Sequence, residues 1–390
     1  MNYDVIIVGG GASGIACAVS LINSGRHIKI LLVEAGERLG KKLAATGNGQ
    51  GNVSNADMTA AHFHGGNVGL AAKISCDNPF VYSSIFDCLF VIDESGRVYP
   101  SGKQASALVD GAMKTLKSYS ALNLVTGEKV TEISRSGDLF KVNYGGKTDD
   151  ARFIVLCTGG KAQKQFKTDG SAYKLATGFG HSLTPLYPSL VQIKTDTDKI
   201  KTLKGIRVDC EVCASVNGKP VKKVRGDVIF TEYGLSGNAI FSISPYIADK
   251  QSAEISLSFL PDISATEIEN KIYSRKKRGY EILEILSGIL HNQLGRAVVK
   301  SARGDSAKEI TENLKRFNLK VAGTLGFDYA QVTKGGIDMS DVSDELESNL
   351  ARNLFFAGEI LDVDGDCGGY NLQWAFTSGA KVAENILKRL

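Results

Sequence analysis

The stretch DVIIVGGGASGIACAVSLINSGRHIKILLVE, residues 4–34, decides the fold. A continuous apolar run leads into three glycines with the spacing Gly9-x-Gly11-x-x-Gly14, and apolar residues at helix period follow them. A second apolar run ends in an acid, Glu34, twenty residues beyond the last of these glycines. Strand, glycine turn, helix, strand and terminal acid in this order predict a βαβ unit that binds a dinucleotide.

Each part of this pattern has a mechanical role in holding a dinucleotide. Gly9 allows a tight turn, Gly11 lets the backbone approach a pyrophosphate, and Gly14 lets the helix pack closely on the strand. The N–H groups at the helix N-terminus point at the phosphates. The Glu34 carboxylate can accept hydrogen bonds from ribose hydroxyls and disfavours a 2′-phosphate, so we expect FAD or NAD rather than NADP.

Further glycine-rich segments extend the predicted site along the chain. They are AGERLGKKLAATGNGQGNVSN (35–55), FIVLCTGG (153–160), NLFFAGE (353–359) and DGDCGGYNLQW (364–374). The second and third have the pattern of buried parallel strands, and open α/β sheets bind ligands at the carboxyl ends of such strands. Loops spread this widely favour a long cofactor, FAD, over NAD in one contiguous domain. No second GxGxxG follows a strand, so we expect no separate NAD(P)H domain.

The composition is that of an ordinary globular protein. Of the 390 residues, 43% are hydrophobic and 23% charged, and a solvated surface explains the net charge of +4. No apolar run reaches membrane-spanning length, and no basic n-region precedes the first strand, so we expect a cytoplasmic protein. The seven cysteines predict no disulfide framework. We also expect no metal site, because Cys210 and Cys213 would alternate across a strand, and His62 and His64 lack further ligands.

The motifs resemble one family over the whole chain. They are GGGASG with Glu34, LGKKLAATGNGQGNVSN, GRVYPSGKQAS (96–106), VLCTGG, TEYGLSGNAI (231–240), QVTKGGID (331–338) and FFAGEILDVDGDCGGYNLQWAF. In this order they resemble the BaiN/RdsA-type family of NAD(P)/FAD-dependent oxidoreductases, bacterial flavoproteins related to aminoacetone-oxidase-type enzymes. The resemblance implies an α/β fold, a Rossmann-like FAD-binding domain of the GR2 type with an inserted antiparallel β domain and a small helical domain.

We place the discontinuous FAD-binding domain in residues 1–189 and 322–390. Alternating apolar and polar residues assign the inserted β domain, a substrate or cap domain, to 190–261, and a charged helical pattern assigns the helical domain to 262–321. The densest basic run, SRKKRGY (274–280), is interpreted as a solvated helix face, with contact to phosphates as the alternative.

The resemblance also implies which residues bind FAD. Beside Gly9, Gly11, Gly14 and Glu34, which would hold the ADP half, these are Ala12, Ser13, Lys41, Lys42, Gly47, Asn48, Gly49, Asn52, Val130, Thr158, Gly159, Gly160, Gly358, Glu359, Asp366, Gly368, Gly369, Tyr370 and Asn371. Gly358 and Glu359 are expected to face the ribityl chain and the pyrophosphate. Residues 368–371 would open the C-terminal helix under the isoalloxazine ring, where the helix N-terminus stabilises negative charge.

Many members of this family carry Arg-Cys-Asn where this chain has Gln50-Gly51-Asn52. No catalytic role of that missing thiol applies here. Cys367 and Tyr370 are the candidate catalytic residues, because each could donate a proton beside the glycine pair.

The resemblance implies hydride transfer from NADH or NADPH, docked transiently, through flavin N5 to an activated C=C bond. The substrate would be an enone-containing small molecule or a uracil base in ribosomal RNA, the second making a dihydrouridine synthase. Two alternatives stay open: an amine oxidase of the aminoacetone-oxidase type that uses oxygen, and a non-catalytic FAD-bound scaffold or RNA-binding protein. The sequence does not predict the oligomeric state.

Overall fold

The computed structural model describes residues 2–390, apart from the side chain of Asn2. Its strands are β1 (Asn2–Val8), β2 (Ile30–Glu34), β3 (Ser54–Asn55), β4 (Phe63–Gly65), β5 (Phe90–Ile92), β6 (Arg97–Pro100), β7 (Leu122–Thr126), β8 (Val130–Ser136), β9 (Leu139–Tyr144), β10 (Lys147–Leu156), β11 (Tyr187–Ser189), β12 (Ile193–Thr195), β13 (Arg207–Val216), β14 (Lys219–Phe230), β15 (Gly234–Ser236), β16 (Ala253–Ser258), β17 (Phe317–Thr324), β18 (Val332–Lys334), β19 (Leu354–Phe356) and β20 (Val363–Gly365).

The helices are α1 (Ala12–Asn23), α2 (Lys41–Ala44), α3 (Val68–Asp77), α4 (Val81–Ile85), α5 (Ala105–Ser118), α6 (Tyr173–Thr177), α7 (Asn238–Ile247), α8 (Ala265–Lys277), α9 (Asn292–Lys300), α10 (Ala307–Lys315) and α11 (Tyr370–Leu387). Short 3₁₀ turns cover Thr46–Gly49, Ala60–His62, Lys164–Phe166, Ile282–Glu284 and Met339–Asp341.

The chain divides into two compact units. The first runs from the N-terminus to Tyr187 and continues in Val332–Leu390, and the second is Pro188–Gln331. The two segments predicted as separate β and helical domains therefore fall into one contiguous unit. The reason lies in β17, which follows the helices in sequence and pairs with β16 and β12 in the same sheet.

The first unit is built on a sheet with the strand order β7-β2-β1-β10-β9-β8, and β19 pairs with β10 beside it. Strands β7, β2, β1, β10 and β19 are parallel, whereas β8 and β9 join by antiparallel pairing. The central strands are fully buried, which is why they appear in the sequence as continuous apolar runs rather than alternating ones.

The register of the parallel strands collects the predicted loops at one edge. Val8 of β1 pairs with Leu156 of β10, and Leu156 pairs with Phe356 of β19. The residues that follow these strands therefore emerge side by side at the carboxyl end of the sheet. This is the edge at which open α/β sheets bind ligands.

Helix α11 packs on α1 at a glycine. A Cβ at Gly379 would lie 2.4 Å from the carbonyl oxygen of Ser13, so only glycine permits this approach. The middle of α11 is thereby packed on the start of the helix that follows the glycine turn.

The second unit is a closed antiparallel barrel in the order β12-β15-β14-β13-β16-β17, with helices α7 to α10 sharing its hydrophobic core. Cys210 of β13 is buried and Cys213 is partly exposed, as alternation across a strand predicts. Within residues 2–390, no helix is long and apolar enough to cross a membrane.

Candidate active site

The glycine turn after β1 leaves an open, uncapped helix end. Gly9 has φ +104°, and a Cβ there would lie 2.4 Å from the Cys157 carbonyl oxygen; a Cβ at Gly14 would lie 1.9 Å from the Gly9 carbonyl oxygen. At Gly11, in contrast, a Cβ would meet no protein atom within 4 Å. No side chain caps α1, so the N–H groups of Ala12 and Ser13 face this open space.

Glu34 closes the other side of the turn. Its carboxylate accepts hydrogen bonds from the N–H of Gly10 at 2.7 Å and from the N–H of Gly36 at 2.5 Å. Burial raises the pKa of this carboxyl, while the two backbone hydrogen bonds and Lys41 lower it. Each carboxylate oxygen keeps a second lone pair, which a ribose hydroxyl can use.

The loop after α2 adopts a left-handed backbone over several residues. Gly47, Asn48 and Gly49 have φ of 57°, 54° and 84°. Successive N–H groups in such a conformation form concavities that bind anions.

The two lysines that precede this loop are both engaged with carboxylates. Lys42 forms an ion pair with Glu359 at 3.0 Å, and Lys41 pairs with Glu37 at 3.4 Å. The Lys42 pair joins the loop after β2 to the loop after β19, which are more than 300 residues apart in sequence.

The loop after β10 is held against Glu359 by Thr333. The Thr333 hydroxyl oxygen accepts from the N–H groups of Lys161 and Ala162, and the Thr333 N–H donates to Glu359 at 2.8 Å. A Cβ at Gly160 would lie 2.4 Å from the Thr333 hydroxyl, so this position requires glycine.

Gly358 is held on three sides. Its N–H donates to the Ser378 hydroxyl at 2.9 Å, and its carbonyl accepts from the indole N–H of Trp374 at 3.2 Å. A Cβ at Gly358 would lie 2.7 Å from the Ser13 hydroxyl. The only tryptophan of the chain therefore fixes the end of β19 to α11.

The glycine pair before α11 packs against β3. A Cβ at Gly369 would lie 2.3 Å from the Ser54 carbonyl oxygen, and the Asn55 side-chain amide donates to the Gly368 carbonyl at 3.0 Å. The side chain of Asn371 is bonded to both the N–H and the carbonyl of Gly365, each at 2.8 Å. Asn371 thus stabilises the turn itself with its amide.

His62 and His64, which the sequence interpretation set aside, lie at this step. Pairing of β4 with β20 places them beside Asp366, whose two carboxylate oxygens lie 3.2 Å from His62 Nδ1 and 2.9 Å from His64 Nε2. The His62 ring stacks on Tyr370 with centroids 4.3 Å apart, and its Nε2 lies 3.1 Å from Asp57. The sequence shows that the two histidines are two residues apart, which would place them on one face of a strand. It does not show that β20 pairs with β4 and brings Asp366 to them.

Burial favours the protonated form of both candidate proton donors. Burial raises the pKa of the Cys367 thiol, with Arg97 opposing and Asp366 adding to the shift. Burial also raises the pKa of Tyr370, whose ring is almost fully enclosed, and the charges of Asp57 and Asp366 add to it.

Val130, one of the predicted cofactor residues, lies in the protein core. It begins β8, is buried, and pairs with Tyr144. Two residues earlier the N–H of Glu128 donates to the Glu34 carbonyl, so the Val130 backbone lies close to the end of β2.

Gly51 lies where the backbone and α5 leave little room for a side chain. Its φ is +76°, and a Cβ would lie 3.0 Å from the Ala105 Cα and 3.3 Å from Leu108. A side chain at this position would strain the backbone and press on α5.

The arrangement fits a bound dinucleotide. Among residues 2–390, the buried side-chain oxygens Asn52 Oδ1 and Thr158 Oγ1 have no hydrogen-bond partner, although buried polar atoms are nearly always bonded. Thr158 follows β10 at the carboxyl edge of the sheet, Asn52 Oδ1 lies at Gly369 of the glycine pair, and the space at Gly11 is open. FAD would satisfy these atoms and fill that space.

A glycine turn, an acid after the second strand and a helix that begins at the glycine pair define a Rossmann-type flavoprotein. The chain belongs to the HI0933-like family, since it matches the family described as HI0933-like protein Rossmann domain over residues 3–385.

Two curated relatives cover nearly the whole chain. A 3-dehydro-bile acid delta(4,6)-reductase of Clostridium scindens is 32% identical over 396 residues, covering 96% of each chain. A ribosomal RNA dihydrouridine synthase of Haemophilus influenzae is 29% identical over 418 residues, covering 98% of each chain. The predicted family and enzyme class, an FAD-dependent oxidoreductase, are confirmed.

Solved structures share the fold at low identity. A 3-ketosteroid-delta4-(5alpha)-dehydrogenase of Rhodococcus jostii has a TM-score of 0.53 at 14% identity and covers 99% of this chain and 96% of its own. A quinol fumarate reductase subunit of Escherichia coli has a TM-score of 0.51 at 13% identity, covering 100% of this chain and 70% of its own. The predicted α/β Rossmann-like fold is confirmed by these likenesses.

Proposed function

We propose that this protein reduces a C=C bond conjugated to a carbonyl group in a small-molecule enone. NADH or NADPH, docked transiently, is the electron donor. The names of the two curated relatives support this chemistry, because a delta(4,6)-reductase and a dihydrouridine synthase both saturate a double bond.

A bound FAD would supply hydride transfer between the donor and the substrate. Gly9, Gly11 and the N–H groups at the start of α1 would hold its pyrophosphate, and Glu34 would hold a ribose. Asn52 and Thr158 would supply polar atoms that have no partner within residues 2–390.

The observation that carries the proposal is the position of the Cys367 thiol, directly before the glycine pair that packs against β3. An alkene carbon that receives a hydride leaves negative charge on its neighbour, so the neighbour must take a proton. Burial raises the pKa of Cys367, which keeps its proton available at neutral pH. Tyr370 is the second protonated group there, and the stacked His62 ring fixes its orientation.

The basic run of α8 favours a small molecule over ribosomal RNA. The Arg275 guanidinium donates to the carbonyls of Ile285 and Ser287, each at 2.8 Å, and Lys276 donates to the carbonyl of Asp305. Lys277 lies over the ring of Tyr273 at 4.6 Å. Much of the positive charge is thus engaged within the second unit rather than free for phosphates.

The proposal is tested with the purified yellow protein under anaerobic conditions. Bleaching of the flavin by NADH or NADPH, followed by recovery of its colour with a 3-oxo steroid enone, is the expected result. Recovery only with uracil-containing ribosomal RNA would transfer the assignment to a dihydrouridine synthase. Bleaching by aminoacetone, with no response to nicotinamides, would make the protein an amine oxidase and refute the proposal.

A further inference from the structure

The motif GRVYPSGKQAS contains an arginine, Arg97, that lies close to the glycine pair before α11. Arg97 is the first residue of β6 and lies directly opposite Asn55 of β3 in an antiparallel pair. Residues opposite each other in such a pair project from the same face. Asn55 on that face donates to the Gly368 carbonyl, so Arg97 projects toward the same turn.

The backbone of Arg97 is fixed by a tight turn. Oδ1 of Asp93 accepts hydrogen bonds from the N–H and the hydroxyl of Ser95 and from the N–H of Arg97, at 2.9, 2.7 and 3.0 Å. The Arg97 carbonyl accepts from the Asp93 N–H at 2.9 Å. The start of β6 is therefore held rigidly on the protein.

The guanidinium of Arg97 has no hydrogen-bond or ion-pair partner within residues 2–390, although the residue is partly buried. The nearby carboxylates bond to other groups: Asp93 to Ser95 and to the Arg97 backbone, Asp366 to His62 and His64, and Asp57 to His62. Asp93 supplies a nearby counter-charge, but the N–H donors of the guanidinium have no acceptor within residues 2–390. A ligand oxygen that carries negative charge can accept from these donors.

The positive charge of Arg97 acts on the pKa of both candidate proton donors. At Cys367 and at Tyr370, burial raises the pKa most, and the positive charge of Arg97 lowers it. At Tyr370 the carboxylates of Asp57 and Asp366 act in the opposite direction to Arg97. A group that binds near Cys367 therefore lies within reach of the guanidinium.

We propose that Arg97 binds the carbonyl oxygen of the conjugated substrate and stabilises the negative charge that this oxygen gains during reduction. The inference rests on the proposed function for its substrate class. A guanidinium donates charge-assisted hydrogen bonds in a fixed plane, which suits a carbonyl oxygen that becomes an enolate.

A hydride, which carries the two electrons lost by the reduced nicotinamide, forms a C–H bond at the alkene carbon far from the carbonyl. The C=C pair moves to form an enolate, whose oxygen Arg97 holds. Cys367 then gives its proton to the carbon next to the carbonyl, and the thiolate regains a proton from water.

The test uses 4-nitrophenol, whose phenolate is a planar oxyanion like an enolate, with the FAD-loaded protein. Binding of phenolate and of neutral phenol is measured by difference absorbance across the pH range, with no turnover. We expect a preference for phenolate, and Arg97→Gln should weaken phenolate binding about tenfold or more, the size of a lost charge-assisted hydrogen bond. Arg97→Lys should retain part of the preference. Arg152→Gln removes the same charge from an exposed position on β10 and should change nothing.

A second readout locates the guanidinium without any cofactor chemistry. The rate at which iodoacetamide alkylates Cys367, followed by mass spectrometry of its peptide, should shift to higher pH in Arg97→Gln. Absence of a phenolate preference in the wild type, or an equal preference in Arg97→Gln, overturns the inference. Failure of the wild type to reduce any enone, with the Arg97-dependent phenolate preference intact, would refute the proposed function alone.

Discussion

At Gly11 the missing side chain is not required by contacts within the protein. A Cβ there would meet no protein atom within 4 Å, whereas a Cβ at Gly14 would lie 1.9 Å from the Gly9 carbonyl oxygen. We propose that the cofactor requires the first of these glycines, whereas packing requires the second. Substitutions can separate the two requirements.

Gly11→Val should therefore fold normally and lose FAD, because the branched side chain occupies the pyrophosphate position. Flavin absorbance after purification and circular dichroism of the same sample measure both effects. Gly102→Val is the matched control, since Gly102 also meets no atom within 4 Å but lies on the exposed turn after β6. A full flavin spectrum in Gly11→Val would show that the pyrophosphate lies elsewhere.

Replacement of Cys367 is expected to slow only the step in which the alkene reoxidises the flavin. Cys367→Ala should leave flavin reduction by the donor unchanged and slow reoxidation by the alkene about a hundredfold or more. Cys213→Ala, a partly exposed thiol in β13, serves as the control. Equal reoxidation rates in stopped-flow measurements would remove Cys367 from the mechanism.

The pH dependence of that step follows from the direction of the pKa shift. A proton donor must be protonated, and burial raises the pKa of Cys367 above the ordinary thiol value of about 8.5. The reoxidation rate should therefore be flat through neutral pH and fall only at a pH above that value. A fall that begins below the ordinary thiol value would point to a different acid.

At the scale of elements, α11 can start where it does only because β3 approaches it at a glycine. Gly369 has φ +104°, and its Cβ would lie 2.3 Å from the Ser54 carbonyl oxygen. Gly369→Ala should lower the free energy of unfolding by about 2 kcal/mol or more, from backbone strain and the close contact together. Gly127→Ala, at φ +78° with no atom within 4 Å, isolates the strain. Urea unfolding with equal losses in both variants would contradict the role given to the close contact.

The basic end of α8 contains a structural arginine beside exposed lysine. Arg275→Ala removes the hydrogen bonds to the carbonyls of Ile285 and Ser287 and should cost about 1–2 kcal/mol of stability. Lys277→Ala should stay within about 0.5 kcal/mol, as is usual at the surface. Enone reduction should be unchanged in Lys277→Ala. A large loss of turnover there would revive an anionic substrate such as RNA.

At the scale of the molecule, the two units have separate hydrophobic cores, and we propose that only the first binds the cofactor. FAD stabilises the state that binds it by about 2.7 kcal/mol at a hundredfold excess over its dissociation constant. Hydrogen exchange of the full chain should show that FAD protects peptides of the first unit and leaves the barrel strands of Pro188–Gln331 unchanged. Equal protection of both units would contradict this assignment.

The sequence by itself determined the fold class, and it predicts the dinucleotide end of the site. The glycine spacing, the buried apolar runs and Glu34 act through neighbours close in the chain, so their consequences can be predicted from local pattern. The same holds for the strand pattern that separates Cys210 from Cys213 and for the start of α11 at the glycine pair.

Only the tertiary structure decided which distant residues meet at the glycine pair. Pairing of β4 with β20 brings His62 and His64 to Asp366, and pairing of β3 with β6 brings Arg97 to the same turn. It also grouped the helical segment with the barrel, because β17 returns to that sheet. Strand pairing depends on backbone hydrogen bonds that any residue but proline can make. The sequence of a short strand therefore does not determine which strand pairs with it.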